Sequence, residues 1–110
     1  MPTLNQPIRV MIAGIGGASL GTEIGKCLRL AGKYEIYGCD ISPTAYGLYD
    51  KVFTETYRII RDDYVAEVLK VCHQTGTKWL IPGGEQPNAL LGAAAEQFAR
   101  EGIRVVTNDT

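Results

Sequence analysis

The 110-residue chain is poor in the groups that usually carry chemistry. It has one histidine, one tryptophan and three cysteines. The cysteine count is odd and no pair has C-x-x-C spacing, which argues against a disulfide framework or a zinc site. Cys27, Cys39 and Cys72 are therefore read as small buried hydrophobes. Eleven Lys and Arg balance twelve Asp and Glu, for a net charge of −1. With no basic block, nothing points to nucleic acid or to an anionic membrane surface. No apolar run reaches the ~18 residues of a spanning helix. The opening Met-Pro-Thr-Leu-Asn-Gln-Pro has no signal-peptide pattern, so a cytoplasmic location is expected. There is no internal repeat, linker or low-complexity tract. What remains is 45% hydrophobic and 21% charged, suited to one globular domain with a real core.

What is abundant is glycine, thirteen residues of it. The densest cluster follows an apolar run of Ile8, Val10, Met11, Ile12 and Ala13, which reads as a strand buried on both faces. Gly14, Gly16 and Gly17 then form a turn, with Gly21 beyond it. A helical pattern starts at once, with Leu20, Ile24, Cys27, Leu28 and Ala31 on one face. Strand, glycine turn and helix make the first unit of a doubly wound α/β domain. Glycine lets a backbone take positive φ and lets another group come close. The following helix aims free N–H groups at that space, where an anion is favoured. Three roles are open for these glycines: close packing, contact with an organic acid, or contact with a nucleotide phosphate. The dinucleotide fingerprint wants glycine at position 19, where this chain has Ser19.

The rest of the chain repeats the alternation. Residues 1 to 7 are a polar leader expected to fray. Helix one spans about 19–31 and stops at Gly32. Strand two covers Tyr34 to Cys39, with Asp40 at its carboxyl end, 19 residues past Gly21. An acid there holds ribose hydroxyls in a dinucleotide domain. It can equally cap the turn Asp-Ile-Ser-Pro or touch a substrate. Residues 41 to 51 read as a loop broken by Pro43 and Gly47, with Tyr46 and Tyr49 packing at its rim. A short strand is expected near Val52–Ile60. Asp62 or Asp63 caps helix two, whose apolar face is Val65, Val68, Leu69 and Cys72, and Gly76 ends it. His73 falls in its last turn as a surface residue.

Strand four, Lys78 to Ile81, runs into Pro-Gly-Gly-Glu-Gln-Pro. Helix three then runs unbroken through Leu90, Leu91, Ala94, Phe98 and Ala99 to Gly102. Strand five is Ile103 to Val106. Right-handed crossovers give a parallel sheet in the order 3-2-1-4-5, with helices on both faces. Strands one and four flank the switch point of such a sheet. The turn at 14–21 and the turn at 82–85 should therefore face each other across one cleft. Glu85 stands at its mouth, either contacting a ligand or accepting N–H bonds at the start of helix three.

Several stretches together resemble a known family. They are Ile-Ala-Gly-Ile-Gly-Gly after strand one, Gly-Cys-Asp-Ile-Ser-Pro with Tyr-Gly-Leu-Tyr-Asp-Lys-Val after strand two, Leu-Ile-Pro-Gly-Gly-Glu after strand four, and the final Gly-Ile-Arg-Val-Val-Thr-Asn-Asp. In order and spacing they are similar to the N-terminal, pre-ATP-grasp domain of ATP-grasp ligases of the carbamoyl-phosphate-synthase large-subunit type, over about residues 7 to 109. The resemblance implies one wall of an active-site cleft that holds a small carboxylate substrate. Gly16, Gly17 and Ala18 would be backbone donors, Glu85 a side-chain contact and Asp40 a weaker one. ATP and magnesium would be held by a following grasp domain that these residues do not include. The chain would then carry no cofactor and be inactive alone, with its own grasp domain as partner.

Two other readings stay open. One is a small NAD(P)- or nucleotide-binding Rossmann module resting on Gly14, Gly16, Gly21 and Asp40. The other is a structural domain that supports an oligomer.

Overall fold

The computed structural model describes residues 7–16, 20–42 and 52–106. The expectations for the leader, for Gly17 and Ala18, and for Tyr46 and Tyr49 lie outside these residues.

The described residues fold into a five-stranded sheet with the helices in the connections between its strands. The strands are β1 (Ile8–Ala13), β2 (Tyr34–Asp40), β3 (Glu55–Arg58), β4 (Trp79–Pro82) and β5 (Arg104–Val105). The helices are α1 (Leu20–Ala31), α2 (Tyr64–Thr75), α3 (Glu85–Ala93) and α4 (Ala95–Arg100). The strand order is β3-β2-β1-β4-β5 and every pairing is parallel, the order expected from the sequence.

β1 is central and is buried on both faces because its alternate residues feed two cores. Met11 and Ala13 join Tyr37, Cys39 and Leu80 under α2, α3 and α4, where Val68, Leu91 and Phe98 are fully buried. Val10 and Ile12 join Ile15, Ile36 and Phe53 on the opposite face, where Ile24 and Leu28 of α1 pack. Gly38 on β2 is needed there, because a Cβ would lie 2.7 Å from Ile15 Cδ1 and 3.0 Å from the Phe53 ring.

Three local features differ from the sequence reading. Helix three is broken: Ala94 has φ −102° and ψ 10° and its N–H turns back to the Leu91 carbonyl, tightening the turn between α3 and α4. A single 3-10 turn, Arg61–Asp63, precedes α2, and Asp63 makes no side-chain cap. Cys27 is exposed, whereas Cys39 and Cys72 are buried as expected. Position 27 is i+7 from Leu20, and Leu20 is itself 61% exposed, so that stripe of α1 faces outward rather than onto the sheet.

Candidate functional site

The carboxyl-terminal edge of β1, β2 and β4 is held shut by its own backbone. Gly14, at φ +100°, donates its N–H to the Cys39 carbonyl at 2.9 Å. Gly83 donates to the Ala13 carbonyl at 2.7 Å, and Gly21 donates to the Gly83 carbonyl at 3.1 Å. A Cβ on Gly21 would lie 2.0 Å from the Gly14 oxygen, and one on Gly83 would lie 2.3 Å from the same atom. These three glycines therefore pack turn against turn with no room for side chains. Thr22, buried in the first turn of α1, donates its hydroxyl to the Ile15 carbonyl at 3.3 Å.

Asp40 fastens the turn from the side. Its Oδ2 accepts the Ile15 N–H at 2.8 Å, and its Oδ1 accepts the Ser42 N–H at 2.9 Å. The second bond is the turn cap expected from Asp-Ile-Ser-Pro. The first ties β2 to the glycine turn, a link across 25 residues that has no local signature.

The two acidic candidates do not meet in one cleft. Asp40 lines a cavity of about 70 Å³ on the α2 and α3 side. Gly14 and Ile41 line it too, with Arg61 and Tyr64 from the head of α2 and Gln86, Pro87 and Leu90 from α3. Glu85, exposed at the start of α3, instead lines a more open groove of about 410 Å³ with Leu20 and Ile24 of α1, Ile81 and Val106. Gly16 is half-buried in the turn.

Sequence reasoning passed over Arg61, Tyr64 and Gln86. One signal was available: each follows the carboxyl end of a strand, where an open α/β sheet gathers its ligand-facing residues. Tyr64 is notable because its hydroxyl is buried and finds no hydrogen-bond partner among the described residues. Burial first, then the neighbouring Cys39 and Asp40, push its pKa well above the usual tyrosine value. Burial also pushes the Cys39 thiol well up and raises Cys72 to about 11. At neutral pH these groups stay protonated, so neither buried cysteine is a thiolate nucleophile. Among the described residues no cluster of His, Cys, Asp or Glu could hold a metal ion. His73 lies elsewhere, in the last turn of α2, with Nε2 3.1 Å from Glu101 Oε1. Among the described residues no helix is long and apolar enough to cross a membrane.

No family model matches the chain, and no curated protein matches it. Among solved structures it is similar to the "putative epimerase from Burkholderia cenocepacia J2315", with a TM-score of 0.50 and 16% identity. The likeness covers 89% of this chain and 32% of the other. The chain is a Rossmann-like parallel α/β domain. It spans about a third of the Burkholderia protein, and at this identity the likeness concerns the fold alone. The ATP-grasp resemblance rests on its motifs and gains nothing from these comparisons.

Proposed function

We propose that this Rossmann-like domain is a nucleotide-binding module, with its site at the carboxyl edge of β1 and β2. One observation carries the reading. The turn from Gly14 to Gly16 leads from the central strand into α1, and the acid at the end of the adjacent strand, Asp40, is bonded to that turn. A phosphate would sit at the head of α1, where the positive end of the helix favours an anion. The spare lone pairs of the Asp40 carboxylate would face a ribose. The fold likeness to part of a longer protein suits a module that serves a catalytic part elsewhere in a larger chain.

Calorimetric titration of the 110-residue chain with NAD, NADP and ATP tests this. Micromolar binding of one of them is expected, with loss of binding in Asp40→Ala. No heat with any of the three at millimolar concentration overturns the reading.

A second reading is favoured by the same carboxylate. Both Asp40 oxygens already hold a backbone N–H, which suits an anchor better than a ribose reader. On that reading the domain is the substrate-side wall of an ATP-grasp ligase of the carbamoyl-phosphate-synthase type, which takes a small carboxylate and leaves ATP and magnesium to a grasp domain. It requires that the isolated chain bind neither NAD nor ATP. It also requires a natural gene product several times the 12.0 kDa of this chain, measured by intact mass spectrometry.

A further inference from the structure

The cavity between the heads of α2 and α3 is lined by one cationic side chain, one anionic side chain and Tyr64, whose buried hydroxyl has no partner among the described residues. We propose that it binds a small zwitterion of amino-acid size, with Arg61 and Tyr64 on the carboxylate and Asp40 on the ammonium group.

The buried Tyr64 hydroxyl comes first. A hydroxyl removed from water without a partner is unfavourable, and buried polar groups in folded proteins are nearly always satisfied. Asp40 lines the same cavity but does not supply the missing acceptor. An acceptor brought by a ligand removes that cost.

Arg61 supplies the charge. It stands in the 3-10 turn immediately before Tyr64 and makes no ion pair among the described residues. Its planar fork matches a carboxylate at two points. A carboxylate alone would also face the negative Asp40. An ammonium group on the same ligand removes that conflict, because each Asp40 oxygen accepts one N–H and has a lone pair left. Ile41, Pro87 and Leu90 supply apolar walls for a short side chain.

Size limits the choice. On a scale where one water needs roughly 10–15 Å³, 70 Å³ holds on the order of five waters. That suits a small amino acid and is too little for a nucleotide base with its sugar. The cavity lies apart from the phosphate position at the start of α1 and shares only Asp40 with the ribose position, so the two readings are told apart by their probes. Failure of the nucleotide titration leaves this proposal standing, and its own failure leaves the nucleotide reading standing.

The test is a ¹H–¹⁵N NMR titration of the full chain with L-alanine, propionate and ethylamine in parallel. Saturable shifts at Ile41, Arg61, Tyr64 and Gln86 are expected with L-alanine. Propionate and ethylamine, each lacking one charge, should bind at least about tenfold more weakly, a difference of about 1.4 kcal/mol. Tyr64→Phe keeps the ring and should weaken L-alanine by about tenfold, the worth of one hydrogen bond to a charged group. Arg61→Gln lies on the surface, should leave the spectrum otherwise folded, and should abolish saturation. Three outcomes overturn the proposal: no saturable shift with L-alanine, equal binding of propionate, or unchanged binding in both variants.

Discussion

The two sides of the sheet's carboxyl edge look alike in sequence and differ in what they present. Each is entered through a glycine-rich turn, and Gly14, Gly21 and Gly83 meet between them. The α1 side is open and mostly apolar, lined by Leu20, Ile24, Ile81 and Val106, with Glu85 its one acid among the described residues. The α2 and α3 side is smaller and gathers Asp40, Arg61, the Tyr64 hydroxyl and Gln86. The glycines themselves do not mark the chemistry. They close the wall, and the polar groups come from the last residue of β2 and from the residues that follow β3 and β4.

Breaking the wall should produce the largest effect. Gly21→Ala places a Cβ 2.0 Å from a backbone oxygen, which no side-chain rotation can relieve. Overpacking of this kind costs about 1–3 kcal/mol, occasionally more, and contact with rigid backbone puts it at the upper end. Gly32→Ala is the control: its Cβ would meet nothing within 4 Å, and only its φ of +71° resists the change. That should cost about 1 kcal/mol, the ordinary penalty for left-handed backbone. Urea denaturation of both variants tests the ranking. Equal losses would mean that the contact among the three glycines is not tight in solution.

A smaller effect separates the two acids. Asp40→Asn keeps the shape but turns one accepting oxygen into a donor facing a backbone N–H. Loss of that bond should cost about 1–3 kcal/mol. Glu85→Gln, on the exposed side, should stay within about 0.5 kcal/mol of the parent. If Glu85→Gln proved the more costly change, Glu85 rather than Asp40 would hold the crest together.

How much of this could be read from the chain depends on how local each interaction is. The continuous apolar run of β1 and the helical pattern of α1 are local, and together with the handedness of crossovers they led to the strand order. The Ser42 bond of Asp40 is also local and was legible. Its bond to Ile15 was not, because it depends on β1 and β2 being neighbours in register. The break at Ala94 falls two residues after Gly92, a weak helix former whose signal is masked by the apolar period that continues through Ala94 and Phe98. The separation of Glu85 from Asp40 depends on which side of a closed glycine contact each side chain falls, and spacing alone does not encode that.

Titration should distinguish the two faces of the sheet. The α2–α4 face buries Tyr37, Cys39 and Cys72, while the α1 face cluster has no titratable member among its fully buried residues. Burial, helped by the Glu35 carboxylate, pushes Tyr37 up to about 12, and burial pushes Cys72 up to about 11. Each folded pKa lies above the unfolded one, so the unfolded chain loses its protons first as pH rises. Their contribution is fully present below about pH 9 and fades between pH 9 and 12. Stability measured across that window should fall steadily. Over the same range iodoacetamide should modify Cys27 at once, and Cys39 and Cys72 only on unfolding. A flat alkaline limb would mean that the α2–α4 face is not dry.

The smallest effect lies far from the crest. His73 and Glu101 join the last turn of α2 to the end of α4, both side chains about half exposed. Pairs like this contribute about 0.2–1 kcal/mol and are screened by salt. Glu101→Gln should therefore cost less than about 0.5 kcal/mol and leave the ligand cavity undisturbed, since neither residue lines it. The change is useful because it is a charge deletion on the same face of the sheet as Asp40. If it shifted the L-alanine titration, the cavity would respond to the overall charge of that face. If only Asp40 and Arg61 variants shift it, the cavity reads the charges that line it.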